Sequence, residues 1–273
     1  MHALIFLTAL LFSAPALASD PCPGNQDALG PARTLEVDTQ GGGAYGTLQY
    51  PRTLGLAPKE IVFTFDDGPD PDVTPRILDT LDAHCLKAAF FFTGLRAEQY
   101  PELVREAARR GHTIATHTYS HPTNLRRLSQ NAAVSQIERG RTHIQAALKG
   151  APDTDHLRPA PFFRFPGLND SPALLTWLEQ RNIATFSADF GSDDWRRLSA
   201  ASVYSRTLKN ADYVGHGILI MHDTKPRAAA ALPLILKELA RRGYSAAHIV
   251  PPAENPALAE LRGAQPPADV TAP

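Results

Sequence analysis

The stretch Ile61-Val62-Phe63-Thr64-Phe65-Asp66-Asp67-Gly68-Pro69 decides the reading of this chain. A β-branched and aromatic run that halts at Gly-Pro reads as a buried strand ending in a turn. Two adjacent carboxylates at the mouth of such a strand repel each other and are costly to desolvate, so the position asks for a cation. Further along, His117 and His121 supply the imidazoles that a divalent metal takes beside a carboxylate. These features point to a metal-dependent hydrolase.

Outward from that strand, short apolar runs alternate with amphipathic ones. Strands are expected at Ile61–Phe65, Ala88–Phe92, Thr113–Thr116, Phe162–Arg164, Ala184–Ser187, Ile218–Met221 and Ala247–Val250. The Phe90-Phe91-Phe92 run reads as buried strand. Helices are expected near Pro75–His84, Pro101–Arg110, Ser129–Lys149, Pro172–Arg181, Ala200–Lys209 and Ala228–Arg242. Three of them open on proline, which suits a first helical turn, and Gly111 and Gly243 close two of the six. About seven strands with intervening helices imply parallel pairing through crossovers. Asp66, Asp67, His117, Arg164, Asp194 and His222 all fall at or just beyond the C-terminal ends of these strands. That rim carries the chemistry in (β/α) barrels, so the expected α/β fold is a distorted or incomplete (β/α) barrel rather than a doubly wound sheet.

At 273 residues, 43% hydrophobic and 20% charged, the chain can bury one large core. A net charge of −1 without a basic run gives nothing to attract nucleic acid or an anionic membrane surface. Residues 1–18 read as a secretory signal peptide: Ala3 to Phe12 is apolar apart from Thr8, and Ala16-Leu17-Ala18 is a cleavage pattern, although the start lacks Lys or Arg. No second stretch is long enough to span a bilayer. Residues 19–58 form a Gly- and Pro-rich arm, 59–250 the catalytic domain, and 251–273 a flexible Pro-rich tail. The expected location is periplasmic or secreted. In an oxidising compartment Cys22 and Cys85 are candidates to pair and staple the arm to the domain.

His117-Thr118-Tyr119-Ser120-His121-Pro122 is a His-x-x-x-His pair, which faces one way if its backbone is helical. Thr118 stands where zinc proteases carry Glu, so a base must come from elsewhere. With Asp67 the pair makes a two-histidine, one-carboxylate set for one divalent metal ion, zinc first, with cobalt, nickel or iron(II) also suited.

Five segments occur in order: Thr64–Pro69, His117–Pro122, Arg164-Phe165-Pro166, Asp194-Trp195 and Ile220-Met221-His222-Asp223. Together they resemble the five motifs of the polysaccharide deacetylases, carbohydrate esterase family four. The resemblance implies an acetylated glycan as substrate. It makes Asp66 the general base, Asp67, His117 and His121 the metal ligands, Arg164 the holder of the base, His222 the general acid and Asp194 its orienting carboxylate. Gly167, Trp195 and Ile220 are the substrate-side candidates. Gly167 replaces a usual tyrosine but keeps the backbone amide that serves the oxyanion. Gly191 stands in place of an aspartate, with Asp189 and Asp193 shifted from it. Trp195 reads equally as core packing or as a platform for a sugar ring.

The implied reaction removes N-acetyl groups from an N-acetylglucosamine-containing polysaccharide, chitooligosaccharide or peptidoglycan. The alternative is an O-acetyl esterase on xylan or another acetylated glycan. Asp70 and Asp72 read as solvated turn residues. His84, His112, His143, His156, His216 and His248 read as surface or structural.

Overall fold

The computed structural model describes residues 22–252, so the expected signal peptide and the tail from residue 253 lie outside the described residues. The arm contributes two short strands, β1 (Arg33–Glu36) and β2 (Ala44–Tyr45). The chain then forms β3 (Glu60–Asp66), α1 (Thr74–Ala83), β4 (Ala89–Phe92), α2 (Gly94–Gln99) and α3 (Pro101–Arg109). It continues through β5 (Thr113–Thr116), α4 (Gln130–Leu148), β6 (Phe162–Phe163), α5 (Pro172–Glu179) and β7 (Ala184–Phe186). β8 (Phe190–Gly191), α6 (Ala200–Val214), β9 (Gly217–His222), α7 (Pro226–Arg241) and β10 (Ser245–Val250) complete it.

Every strand pair is parallel. β3 lies between β9 and β4, and the sheet runs on through β5 and β6 to β7. Chain leaving β7 crosses to β8, which pairs with β9 and returns the ladder to β3. The result is a distorted barrel. β10 pairs with the start of β3 and carries β1 on its other side.

Alternation along the strands separates two environments. Ile61, Phe63 and Phe65 pack outward with Ile77 and Leu78 of α1 and Leu232 and Ile235 of α7. Val62 packs on the other face with Phe91, Phe162, Phe186 and Ile218. Thr64 and Asp66 share the parity of Val62, so the sequence alternation itself turns the base candidate inward. Phe163 and Phe165 pack outward against Ile137 of α4 and Trp177 and Leu178 of α5, which leaves Arg164 pointing inside.

The structure departs from expectation in three places. It has ten strands among the described residues rather than about seven. Two of the extra ones belong to the arm, where β1 is mostly exposed and β2 only two residues long, so neither has a burial pattern to read. The third, β8, arises because the expected strand at Ala184–Ser187 resumes after a bend. The six-residue helix α2 had no periodic signal of its own.

The arm is tied down. Cys22 and Cys85 are joined as a disulfide across 63 residues. Arg33 donates to both carboxylate oxygens of Glu60, at 2.9 and 2.8 Å. In the chain-entropy account a loop of this length stabilises by about 4 kcal/mol. Cys22→Ser is therefore expected to lower unfolding free energy by about 2–4 kcal/mol in guanidinium titrations. Dithiothreitol should have the same effect on the native protein and none on the variant.

Candidate metal-dependent active site

β3 delivers Asp66 and Asp67 to the rim, and the turn after it is built around Gly68. The Gly68 amide donates to Asp223 Oδ1 at 2.9 Å, and the Thr74 hydroxyl donates to Asp223 Oδ2 at 2.6 Å. A Cβ on Gly68 would collide with that carboxylate. Burial pushes Asp223 up to about 7, helped by the charge of Asp67. Asp67 itself has φ +79°, a left-handed conformation that Asp tolerates better than most residues.

Asp66 is 2% exposed and accepts from Arg164 Nη1 at 2.7 Å. Arg164 is wholly buried. Its remaining donors reach Thr64 Oγ1 at 2.8 Å and the carbonyls of Phe186 and Ser187, and its guanidinium lies 4.3 Å from the Phe91 ring centroid. The same residue's carbonyl accepts from His117 Nδ1 at 2.7 Å. Nδ1 thus carries the hydrogen, and Nε2 keeps a free lone pair. Burial pushes His117 below its ordinary value although Asp66 and Asp67 pull upward, so the ring is held neutral, as a ligand must be.

His117 and His121 do converge, but not through a helix. Thr118 and His121 have φ +65° and +56°, and the His121 amide donates to Thr118 Oγ1. The loop is clamped by the Gly94 and Leu95 amides, which donate to the carbonyls of Thr118 and Tyr119. It also sits against Gly140 of α4, where a Cβ would lie 2.5 Å from the Thr118 carbonyl. Asp67 Oδ1 lies 3.6 Å from His117 Nε2 and 3.2 Å from His121 Nε2. The three ligand atoms fall within 4.8 Å of one another. Asp67 Oδ1 is buried and without a hydrogen-bond partner among the described residues. Burial would raise Asp67, but His117, His222, His121 and Lys225 outweigh it and hold its carboxyl below the usual range. A deprotonated, unpaired oxygen facing two imidazole nitrogens fits a divalent cation.

His222 closes β9. Its Nδ1 donates to Asp194 Oδ1 at 2.6 Å, and its amide donates to Asp194 Oδ2 at 2.8 Å. Burial opposes charge on the ring, yet Asp194, with Asp67 and Asp66 behind it, pushes His222 up to about 9. Asp194 is fully buried, and Arg227 donates to its carbonyl at 2.9 Å.

Asp66, Asp67, His117, His121, His222, Gly167, Trp195 and Ile220 line one cleft of about 720 Å³. Arg164 and Asp194 stand behind it as supports. Gly167 has φ +60° in a tight turn, which favours glycine there. Trp195 is 60% exposed, so the core-packing reading fails. Asp189 accepts from Thr47, Thr53 and the Ile218 amide, and Asp193 pairs with Arg206 and Arg196. Neither carboxylate takes the place of the missing one at Gly191. Asp70 is no free turn residue: it caps Val73 and pairs with Arg96 at 3.1 Å. His84, His112 and His248 are buried, and His112 Nδ1 accepts from the Ala88 amide. Sequence reasoning placed Thr64 and Asp223 inside motif segments but gave them no role, and it missed Lys225. Lys225 lies 3.9 Å from Asp67, and only its place three residues after His222 could have suggested it.

Residues 55–183 match the family model for polysaccharide deacetylase. Two peptidoglycan-N-acetylglucosamine deacetylases of Bacillus cereus are 32% and 31% identical to the chain over 188 and 191 residues. The alignments cover 67% and 68% of this chain, and 64% and 84% of the relatives. The chain belongs to the polysaccharide deacetylase family. A solved peptidoglycan deacetylase from Bdellovibrio bacteriovorus superposes with a TM-score of 0.73 at 30% identity, covering 84% of this chain and 61% of that one. The polysaccharide deacetylases are metal-dependent hydrolases. The site described above is where this member has the residues for that chemistry.

Asp67→Asn is expected to weaken zinc binding by at least about tenfold in calorimetric titration, since it removes the ligand charge. In chelator-treated protein the His222–Asp194 pair has a raised histidine pKa. Its contribution to stability is therefore full below about pH 6.5, the ordinary histidine value, and is lost as pH rises through about 9. Urea titrations at the two pH values should show that slope, and Asp194→Asn should flatten it.

Proposed function

We propose that this protein removes N-acetyl groups from N-acetylglucosamine units of a glycan outside the cytoplasm, peptidoglycan or a chitooligosaccharide. One observation carries the reading: the orphaned Asp67 Oδ1, shared by two imidazoles, stands beside a carboxylate fixed by buried arginine and a histidine fixed by buried aspartate. The named Bacillus cereus relatives act on N-acetylglucosamine of peptidoglycan, and the Cys22–Cys85 disulfide suits an oxidising compartment. Among the described residues no helix is long and apolar enough to cross a membrane.

Asp67, His117 and His121 would hold the ion, zinc being the first candidate for this ligand set. When bound, such an ion supplies Lewis acidity, bringing the pKa of water from about 15.7 toward about 7. Asp66 takes the proton from the attacking water, and Arg164, bonded to its other side at 2.7 Å, holds that carboxylate in place. The Gly167 amide is the donor assigned to the developing oxyanion. His222 gives its Nε2 proton to the departing nitrogen, because an amine anion is a very poor leaving group. A C–O bond forms, the C–N bond breaks, and acetate and a free amine result. Trp195 and Ile220 sit where they can contact the sugar.

Acetate release from chitooligosaccharides, peptidoglycan and acetylated xylan, with zinc and with chelator, tests the reading. Asp66→Asn should lower kcat by about 10²–10⁴. His222→Ala should lose far more activity on N-acetyl than on O-acetyl substrates, since an alkoxide needs protonation less. Absence of acetate from every N-acetylated glycan with metal bound refutes the proposal, and release from xylan alone replaces it with an esterase.

A further inference from the structure

Five large apolar side chains are exposed among the described residues: Leu48, Leu95, Trp195, Tyr213 and Leu234. Three of them, Leu48, Trp195 and Tyr213, line the catalytic cleft. Exposed apolar groups gathered in one concavity mark a binding surface. Trp195 adjoins the Asp194 support, but Leu48 and Tyr213 come from the arm and from the last turn of α6, outside every motif in the sequence.

The segments that carry them are anchored to one stretch of backbone. The Leu48 amide donates to the Ala188 carbonyl at 2.9 Å. The Thr47 amide and hydroxyl both donate to Asp189 Oδ1 at 2.8 Å, and the Thr53 hydroxyl donates to Asp189 Oδ2. At the other end, Asn210 Nδ2 of α6 donates to the Gly191 carbonyl at 2.9 Å. The run Ala188–Gly191 thus joins the arm loop to α6. Asp189, Phe190 and Gly191 all line the cleft with them. Gly191 is not glycine for want of room, since a Cβ there would meet nothing closer than Ile220 Cγ2 at 3.4 Å. Its missing side chain leaves that part of the cleft bare.

An exposed tyrosine ring and an isobutyl group beside bare backbone suit the apolar face of a pyranose. The Tyr213 hydroxyl and the free carbonyl oxygen of the Asn210 carboxamide can bond the hydroxyl rim. We propose that Leu48, Tyr213 and the open backbone at Gly191 form a second sugar subsite, which binds the pyranose adjoining the acetylated one in a chain of N-acetylhexosamines. The inference rests on the glycan reading above. It adds that the arm, through Asp189, helps set affinity for the chain.

The test is calorimetric titration of chelator-treated protein with chitopentaose and with a peptide-free peptidoglycan strand, which carries lactyl ethers. Wild type should bind at least one of them. Tyr213→Ala, Leu48→Ala and Gly191→Leu, which fills the bare position, should each weaken binding of that probe about fivefold to tenfold. KM for its deacetylation should rise in proportion, with zinc affinity and circular dichroism unchanged. Unaltered binding in all three variants, or no binding of either probe by wild type, overturns the subsite. If the probe binds but zinc-loaded wild type releases no acetate, the deacetylation reading fails and the subsite stands. Acetate release with all three variants indistinguishable from wild type sinks the subsite alone.

Discussion

A guanidinium with no exposed surface holds this site together. Arg164 bonds Asp66 and Thr64 on β3 and the carbonyls at the end of β7, lies over Phe91 of β4, and offers its own carbonyl to His117 after β5. One residue thereby sets the position of the base candidate, the tautomer of a ligand candidate and the spacing of four strand ends. Isolated inside a barrel, either charge of the Arg164–Asp66 pair would be very costly. Together, with each Arg164 nitrogen bonded, they make the polar interior possible.

Around that pair the chain uses rigid scaffolding with a few unusual backbone conformations at the rim. Asp67, Thr118 and His121 all have positive φ, and all three lie in the two segments that converge on the ligand point. Neighbouring structure over-determines them: Asp223 fills the turn after Asp67, and α2 and α4 close on the histidine loop. Backbone strain of this kind persists where packing enforces it, and it clusters at functional sites.

The sequence revealed the site better than it revealed the sheet. The catalytic candidates stand where strands end, so once β3, β5, β6 and β9 were legible as apolar runs the polar residues beyond them had a place. Asp66 and Arg164 face inward for a reason visible in the residues themselves, since Val62-Thr64-Asp66 and Phe162-Arg164 share a parity. The arm strands were hidden because β1 is mostly exposed and its partner β10 lies more than 200 residues away. The role of Asp223 and the place of Lys225 were hidden for another reason: a side chain that works by filling a turn or by facing a carboxylate leaves no periodic trace. The histidine loop was ambiguous because a spacing of four suits a helix and also suits the left-handed turn it adopts.

β1 hydrogen-bonds to β10 along its whole length and to no other strand among the described residues. A chain emerging N-terminus first has therefore made its opening strand long before the only ladder able to receive it. The sheet cannot be finished until residue 250 is available to pair. Early closure of a covalent link to Cys85, whose segment appears far sooner, would meanwhile keep the waiting arm close to its eventual berth.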